Sequence, residues 1–281
     1  MISILICGIN SEYRKQITAN LKATIEMPYE LLYYDNNINP LSISAAYNHL
    51  KNQANGDYLC FIHEDIEFKS IGWGLTISNI FKTIPETGLL GVAGAKYKSH
   101  IPGSWTSIGH KFLVCHYEQY HKDGRLPEQV DINSGNELTD VVFVDGFFLC
   151  ITKEIGNLIS FDEAILKGFH GYDFDLAMSV LNLKKKVIIT NGINIAHHSD
   201  GTINKEWFYT HKQLCLKWKN DLPTFSSKVS FIEKVAIDYS SFLKSWKYLG
   251  QLKLTKERVS FFFSYFNFHF LWFFLYKKLK F

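Results

Sequence analysis

The stretch Gly56-Asp57-Tyr58-Leu59-Cys60-Phe61-Ile62-His63-Glu64-Asp65-Ile66-Glu67 decides the fold. Tyr58–Ile62 is an unbroken apolar run with no polar alternation. A strand of that kind is covered on both faces, as in a parallel sheet. A histidine and two carboxylates follow it at once, with Glu67 close behind. In helix-covered parallel sheets, ligands bind beyond the carboxyl ends of the strands, where the connecting loops gather.

Working outward, residues 2–7, 31–34 and 89–93 are further short apolar runs, and helix-period segments separate them. Tyr13, Ile17, Leu21 and Ile25 share one helical face, with Ser11 placed to cap it. Ile43, Ala46, Tyr47, Leu50 and Ala54 share another, with Gly56 placed to end that helix. Trp73, Ile77, Ile80, Phe81 and Ile84 mark a third. The repeated strand–helix order predicts an α/β fold: a mostly parallel sheet with helices on both faces. Residues 96–140 read as loop-rich and contain Trp105 and Arg125. Residues 141–144 and 147–151 read as strands flanking Asp145-Gly146. Leu176, Ala177, Val180 and Leu181 give a helix with Asp173 and Asp175 in its first turn, and strands at 187–190 and 193–196 lead into His197-His198-Ser199-Asp200-Gly201.

The strand ends carry the chemistry. Ile9 and Asn10, Asp35, and His63-Glu64-Asp65 follow the first three strands and are candidate cofactor-binding positions. A carboxylate such as Asp65 can hold Mg²⁺ or Mn²⁺ through oxygen and leave coordination positions open for phosphate. It can equally cap a helix or sit in a solvated turn. Asp173 or Asp175 can project a general base from a helix start, although an acid there also complements the helix dipole. Neutral His197 or His198 suits a transition metal, and adjacent positions on a strand point to opposite sides, so one of the two is the expected ligand. Several activities are excluded. The G-x-G-x-x-G and P-loop patterns are absent, and so is the G-x-S-x-G elbow of the α/β-hydrolases.

The order of these pieces resembles the family 2 glycosyltransferases of the GT-A fold, a Rossmann-like architecture, and within them the bacterial branch that builds capsule and surface polysaccharide. Ser44-Ala45-Ala46-Tyr47-Asn48, Gly56-Asp57-Tyr58 and Phe61-Ile62-His63-Glu64-Asp65 resemble the front half. Val144-Asp145-Gly146, Gly171-Tyr172-Asp173-Phe174-Asp175-Leu176 and His197-His198-Ser199-Asp200-Gly201 resemble the back half. The resemblance implies a nucleotide-sugar donor, with UDP expected. It implies a base contact at Asp35 and a donor contact at Asn48. Asp65 is implied to bind the metal on the diphosphate, with His197, or else His198, as a further ligand. Asp173, or Asp175 in a shifted register, is implied as the base. Trp105, Asp145 and Gly146 are expected to contact substrate. Two positions depart from the family pattern: His63 and Tyr172 stand where acids are expected. These departures sustain an alternative, an inactive sugar-binding scaffold. A nucleotidyltransferase ranks lower, because no Gly-rich basic loop follows the first strand.

Residues 226–281 form a separate basic, aromatic tail beyond an expected catalytic domain at 1–225. The tail holds ten Lys and Arg against three Asp and Glu, and 17 of the 44 aromatic side chains. With a total of +3, the remaining residues therefore carry a net −4, which does not suit coating nucleic acid. Residues 259–276 contain no formal charge and eleven aromatics, and Lys277, Lys278 and Lys280 follow. This pattern fits a helical in-plane anchor on the inner leaflet, suited to a lipid-linked acceptor. A helix packed on the body or on another subunit is the competing expectation, and a bilayer span is the third. Five cysteines without a C-x-x-C indicate a reducing compartment. The first apolar run lacks the basic lead-in of a signal peptide, which predicts a cytoplasmic body, peripheral to the membrane.

Overall fold

A computed structural model describes residues 1–199 and 201–279; of residues 274 and 276–279 only the backbone is described. Asp200 of the histidine motif and Lys280 of the terminal lysines lie outside the described residues, as do the side chains of Lys277 and Lys278. In chain order the elements begin β1 (Ile2–Gly8), α1 (Ser11–Thr24), β2 (Tyr29–Asp35), α2 (Ile43–Gln53), β3 (Tyr58–Ile62), β4 (Ile66–Phe68), α3 (Trp73–Thr83) and β5 (Thr87–Gly91). Next come β6 (Ala93–Ala95), β7 (Tyr97–Lys98), two short 3₁₀ turns (Trp105–Ile108 and His110–Phe112), β8 (Leu113–Gln119), β9 (Glu128–Ile132), β10 (Leu138–Val141), β11 (Phe143–Val144) and β12 (Phe148–Thr152). The chain then runs through α4 (Lys153–Leu158), α5 (Tyr172–Asn182), β13 (Lys186–Thr190), β14 (Ile195–His197), α6 (Lys205–Lys217), β15 (Thr224–Phe225), α7 (Phe231–Gln251), α8 (Thr255–Tyr265) and α9 (Phe268–Leu279).

The main sheet has the strand order β10-β13-β5-β12-β3-β1-β2. β1 pairs in parallel with both β2 and β3, and β13 pairs in parallel with β5, whereas β12 is antiparallel to β3 and β5. Every residue of β1, β3 and β5 is buried, so both faces of the sheet are covered. This is the mostly parallel α/β architecture expected from the apolar runs. A second sheet, β11-β6-β8-β14-β4 with β9 beside β8, stands next to it.

Two sequence-based strands are divided between the sheets. The run expected at 89–93 leaves the main sheet at Val92 and continues as β6 in the second. The run expected at 141–144 breaks at Val142 in the same way. Continuous hydrophobicity marks both halves as buried and is silent on which sheet each half joins. Two helix-end assignments also change. Asn10, rather than Ser11, caps α1, its Oδ1 accepting from the amides of Glu12 and Tyr13. α2 ends at Gln53 with Ala54 as its cap, and Gly56 instead lets the chain pass against β1, its amide donating to the Ser3 hydroxyl. The region 96–140, expected as loop, supplies β7, β8, β9 and part of β10.

The tail is helical and much of it packs on the body. A second apolar core joins Val235, Phe242 and Leu249 of α7, Phe261 of α8 and Phe270 and Phe273 of α9 to Trp207 and Phe208 of α6. Buried Asp238 accepts hydrogen bonds from the hydroxyls of Tyr97 (3.1 Å) and Ser99 (2.7 Å). The uncharged run at 259–276 is interrupted between α8 and α9, at Phe266 and Asn267. Among the described residues, no helix is long and apolar enough to cross a membrane.

Candidate active site

A cleft of about 740 Å³ opens beside the carboxyl end of β3. His63, Asp145, Gly146, Tyr172, Asp173 and His197 line it, so residues far apart in sequence meet on one surface. β3 ends at Ile62 and delivers His63-Glu64-Asp65. β4 then pairs antiparallel with β14, placing His197 opposite Ile66. The His198 amide donates to the Asp65 carbonyl (2.9 Å), which locks the two segments side by side.

His63, Asp65 and His197 form one cluster whose candidate ligand atoms lie within 4.8 Å of one another. Asp65 Oδ1 is 3.8 Å from His63 Nδ1 and 3.8 Å from His197 Nε2. Those separations are too long for hydrogen bonds, and Oδ1 is buried without a partner. An unpaired buried carboxylate oxygen is costly in a folded protein and needs an explanation. The orientation of His63 supplies part of one. The Tyr172 hydroxyl donates its single proton to the Gly146 carbonyl (3.0 Å). It can then only accept from His63 Nε2, 2.7 Å away. Nδ1 is the ring nitrogen left toward Asp65. Burial, with His63 adding to it, holds His197 below the ordinary histidine range and keeps it neutral. Burial alone would raise the Asp65 carboxyl. His63, His197 and the Ser199 hydroxyl outweigh burial and hold it below its ordinary value. Two imidazoles and one carboxylate around an orphaned oxygen fit a divalent ion of the Mn²⁺ class. Outer hydrogen bonds such as that from His63 Nε2 to the Tyr172 hydroxyl orient ligands of this kind.

Gly146 is required by a close approach. A Cβ at this position would stand 2.2 Å from the Tyr172 hydroxyl. Asp145 accepts from the indole of Trp105 (2.9 Å), which brings the 3₁₀ turn of residues 105–108 to the cleft. The Asp173 carboxyl is pushed up to about 7 by burial, with the charge of Asp145 adding to the effect. A carboxyl tuned near neutrality on a cleft wall is suited to accept a proton.

The remaining expected residues are placed as follows. Asp175 is 2% exposed, holds Trp218 Nε1 (2.8 Å) and Lys217, and does not line the cleft. The helix turns it away from Asp173, and a buried ion pair occupies its carboxylate. The ring of His198 lies 4.4 Å from that of Tyr120, and its Nε2 is 3.8 Å from Glu67, outside the cluster. Asn48 brackets the Phe161 backbone and Glu163, away from the cleft. Glu64 accepts from the amides of Ile9 and Asn10 and from the Tyr33 hydroxyl (2.7 Å), tying the β1–α1 loop down. Gly8 permits this approach, because a Cβ there would stand 2.2 Å from Glu64 Oε2. Asp35 holds Asn37, whose side chain donates to the Ile9 carbonyl, so residues 8–10, 35–37 and 64 make one polar corner at the ends of β1 and β2. Sequence reasoning placed His63 with the donor contacts rather than with the metal candidates, and it missed Tyr172 as the partner of His63 and Trp207, His211 and Tyr248 as cleft walls. Trp207 and His211 stand four residues apart on α6, a visible signal of a shared face. Nothing local marks Tyr248.

A model of the glycosyltransferase-like family matches residues 3–224. The streptomycin biosynthesis protein StrF of Streptomyces griseus is 26% identical over 168 residues, which is 58% of this chain and 55% of that protein. The crystal structure of GalNAc-T7 with UDP, GalNAc and Mn²⁺ superposes with a TM-score of 0.51 and 10% identity, over 92% of this chain and 55% of that one. The chain thus spans about half the length of each, and the second likeness is one of fold.

Proposed function

The chain belongs to the glycosyltransferase-like family, and on that premise we propose that it transfers a sugar from a UDP-sugar to a saccharide or lipid-linked acceptor in surface-polysaccharide synthesis. The observation that carries this reading is the orphaned Asp65 oxygen, buried behind His63 and His197, two side chains that line the same cleft as Asp173. UDP and Mn²⁺ are what the fold neighbour's structure holds, and the same ligand classes suit these residues. His63, Asp65 and His197 would hold the ion. A divalent ion bound there supplies Lewis-acid stabilisation of the leaving diphosphate.

The chain's own residues do the rest. The polar corner of residues 8–10, 35–37 and 64 seats the nucleotide. Asp173 accepts the proton of the acceptor hydroxyl as the new C–O bond forms at the anomeric carbon. The old C–O bond breaks with its electron pair leaving on the diphosphate. One base and one displacement invert the anomeric centre, so a second carboxylate nucleophile is not needed. Trp105, held by Asp145, borders the substrate.

We further assign the chain to the inner face of the cytoplasmic membrane. In support, Phe263 and Phe268 of the tail are 80% and 87% exposed, Leu271, Trp272 and Leu275 are also exposed, and Lys247, Lys253 and Lys256 carry positive charge at the surface. Exposed aromatics with lysines suit an anionic headgroup layer.

Thermal unfolding with UDP and Mn²⁺ tests the donor site. UDP at 100 times its dissociation constant should stabilise the fold by about 2.7 kcal/mol. We expect the shift to shrink without Mn²⁺ and to vanish in Asp65→Asn. Asp173→Asn should keep the shift and lose turnover about 10²–10⁴-fold. An undiminished Mn²⁺-dependent shift in Asp65→Asn would sink the reading. Binding without any donor turnover would favour the inactive scaffold.

A further inference from the structure

Part of the cleft lining comes from a different region of the chain. Trp207 and His211 of α6 and Tyr248 of α7 line it, together with Phe169, which is 46% exposed. The rings of Trp207 and His211 lie 4.2 Å apart and those of Trp207 and Tyr248 6.0 Å apart, so α6 and α7 present one aromatic wall. Tyr248 lies outside the family-matched residues 3–224.

The wall also carries a polar handle. His211 Nδ1 lies 2.9 Å from the Trp207 carbonyl, to which it can only donate, so Nε2 keeps the lone pair of the neutral ring. Burial pushes this imidazole down to about 3, so it stays neutral across the working pH range. A hydroxyl is the group that such an acceptor selects. Trp207 and His211 are 8% and 5% exposed and stack on each other, so half-buried Tyr248 and exposed Phe169 offer most of the ring surface on which the C–H face of a sugar can rest.

The wall is held rigidly. Lys244 Nζ donates to the Thr106 carbonyl (2.8 Å) and the Ser245 hydroxyl to the Pro102 carbonyl (2.6 Å), which joins α7 to the segment carrying Trp105. Asp238 adds its bonds to Tyr97 and Ser99.

We propose that Trp207, His211 and Tyr248 form a pyranose-binding subsite for the acceptor, and that α7 thereby acts as a specificity-determining part of the enzyme. The proposal rests on the transferase reading above, and its readout can be separated from that reading. Methyl pyranosides are the probes, with binding to the full-length chain measured by saturation-transfer NMR. Saturable binding is expected for at least one pyranoside in the wild type. Tyr248→Ala should raise its dissociation constant about tenfold, which corresponds to ~1.4 kcal/mol. Tyr248→Phe should restore most of the affinity, and the UDP-induced melting shift in the same samples reports on the fold. No saturable pyranoside binding in the wild type would overturn the subsite. So would an unchanged dissociation constant in Tyr248→Ala, or a parallel loss of the UDP shift. Pyranoside binding without any UDP-sugar turnover would instead count against the transferase reading.

Discussion

The Tyr172 hydroxyl decides which nitrogen of His63 is free. It donates to the Gly146 carbonyl and accepts from His63 Nε2, so Nδ1 is the ring nitrogen turned toward Asp65. Tyr172→Phe should keep the fold and weaken Mn²⁺ binding about 10–100-fold, the usual cost of losing an orienting partner, and isothermal titration with Mn²⁺ in the presence of UDP checks this. Asp173 gives a second prediction. Its carboxyl is raised to about 7, so it is the deprotonated, base-competent fraction that grows with pH. Turnover should climb through pH 7 and level above it. The same shift acts on stability. A carboxyl raised in the folded state contributes stability below its unfolded pKa near 4, and that contribution is lost as pH rises through about 7. Asp173→Asn should therefore gain in melting temperature over the wild type between pH 4 and pH 7, with no further gain at pH 8. A constant difference across that range would mean that the side chain is not held away from water.

At the scale of elements, α7 does more than extend the chain. Helical spacing puts Phe231, Val235, Tyr239, Phe242, Trp246 and Leu249 along one stripe of α7. The structure buries Val235, Phe242 and Leu249 and leaves Phe231 59% exposed. The stripe docks through Asp238, a buried acid whose acceptors satisfy two hydroxyls of the body. Asp238→Ala should cost about 1–3 kcal/mol through those orphaned donors, measured as a lower midpoint in urea. The variant should also lower pyranoside affinity, because α7 carries Tyr248. β3 and β1 were legible because every residue in them is buried and, apart from Ser3, apolar. The breaks at Val92 and Val142 were not, because sheet membership depends on which partner strand is within reach.

For the whole molecule, the tail has two faces. One closes an apolar core against α6, and the other leaves Phe263, Phe268 and Trp272 exposed. Flotation with anionic vesicles should carry the full-length protein upward, and Phe263→Asp combined with Phe268→Asp should leave it at the bottom of the gradient. Because both side chains are exposed, the double variant should melt as the wild type does. Equal flotation of the two proteins would remove the anchor.

The candidate site was partly readable before any coordinates. Asp65, Asp173 and His197 follow or precede recognisable strands and helices, and local pattern was enough to single them out. Choosing between Asp173 and Asp175, or between His197 and His198, was beyond it, because both members of each pair obey the same local rules. Packing separates the members of each pair: Asp173 and His197 line the cleft, whereas Lys217 and Trp218 occupy Asp175, and Tyr120 and Glu67 lie beside His198. Hydrophobic period is a short-range property that the chain carries in itself, and it determined the α/β layering and the helical tail. Which polar side chains share a cleft is set by contacts between segments distant in the sequence, as with His63 and Tyr172. Only the tertiary structure could bring Tyr172 to His63, or Tyr248 to Trp207.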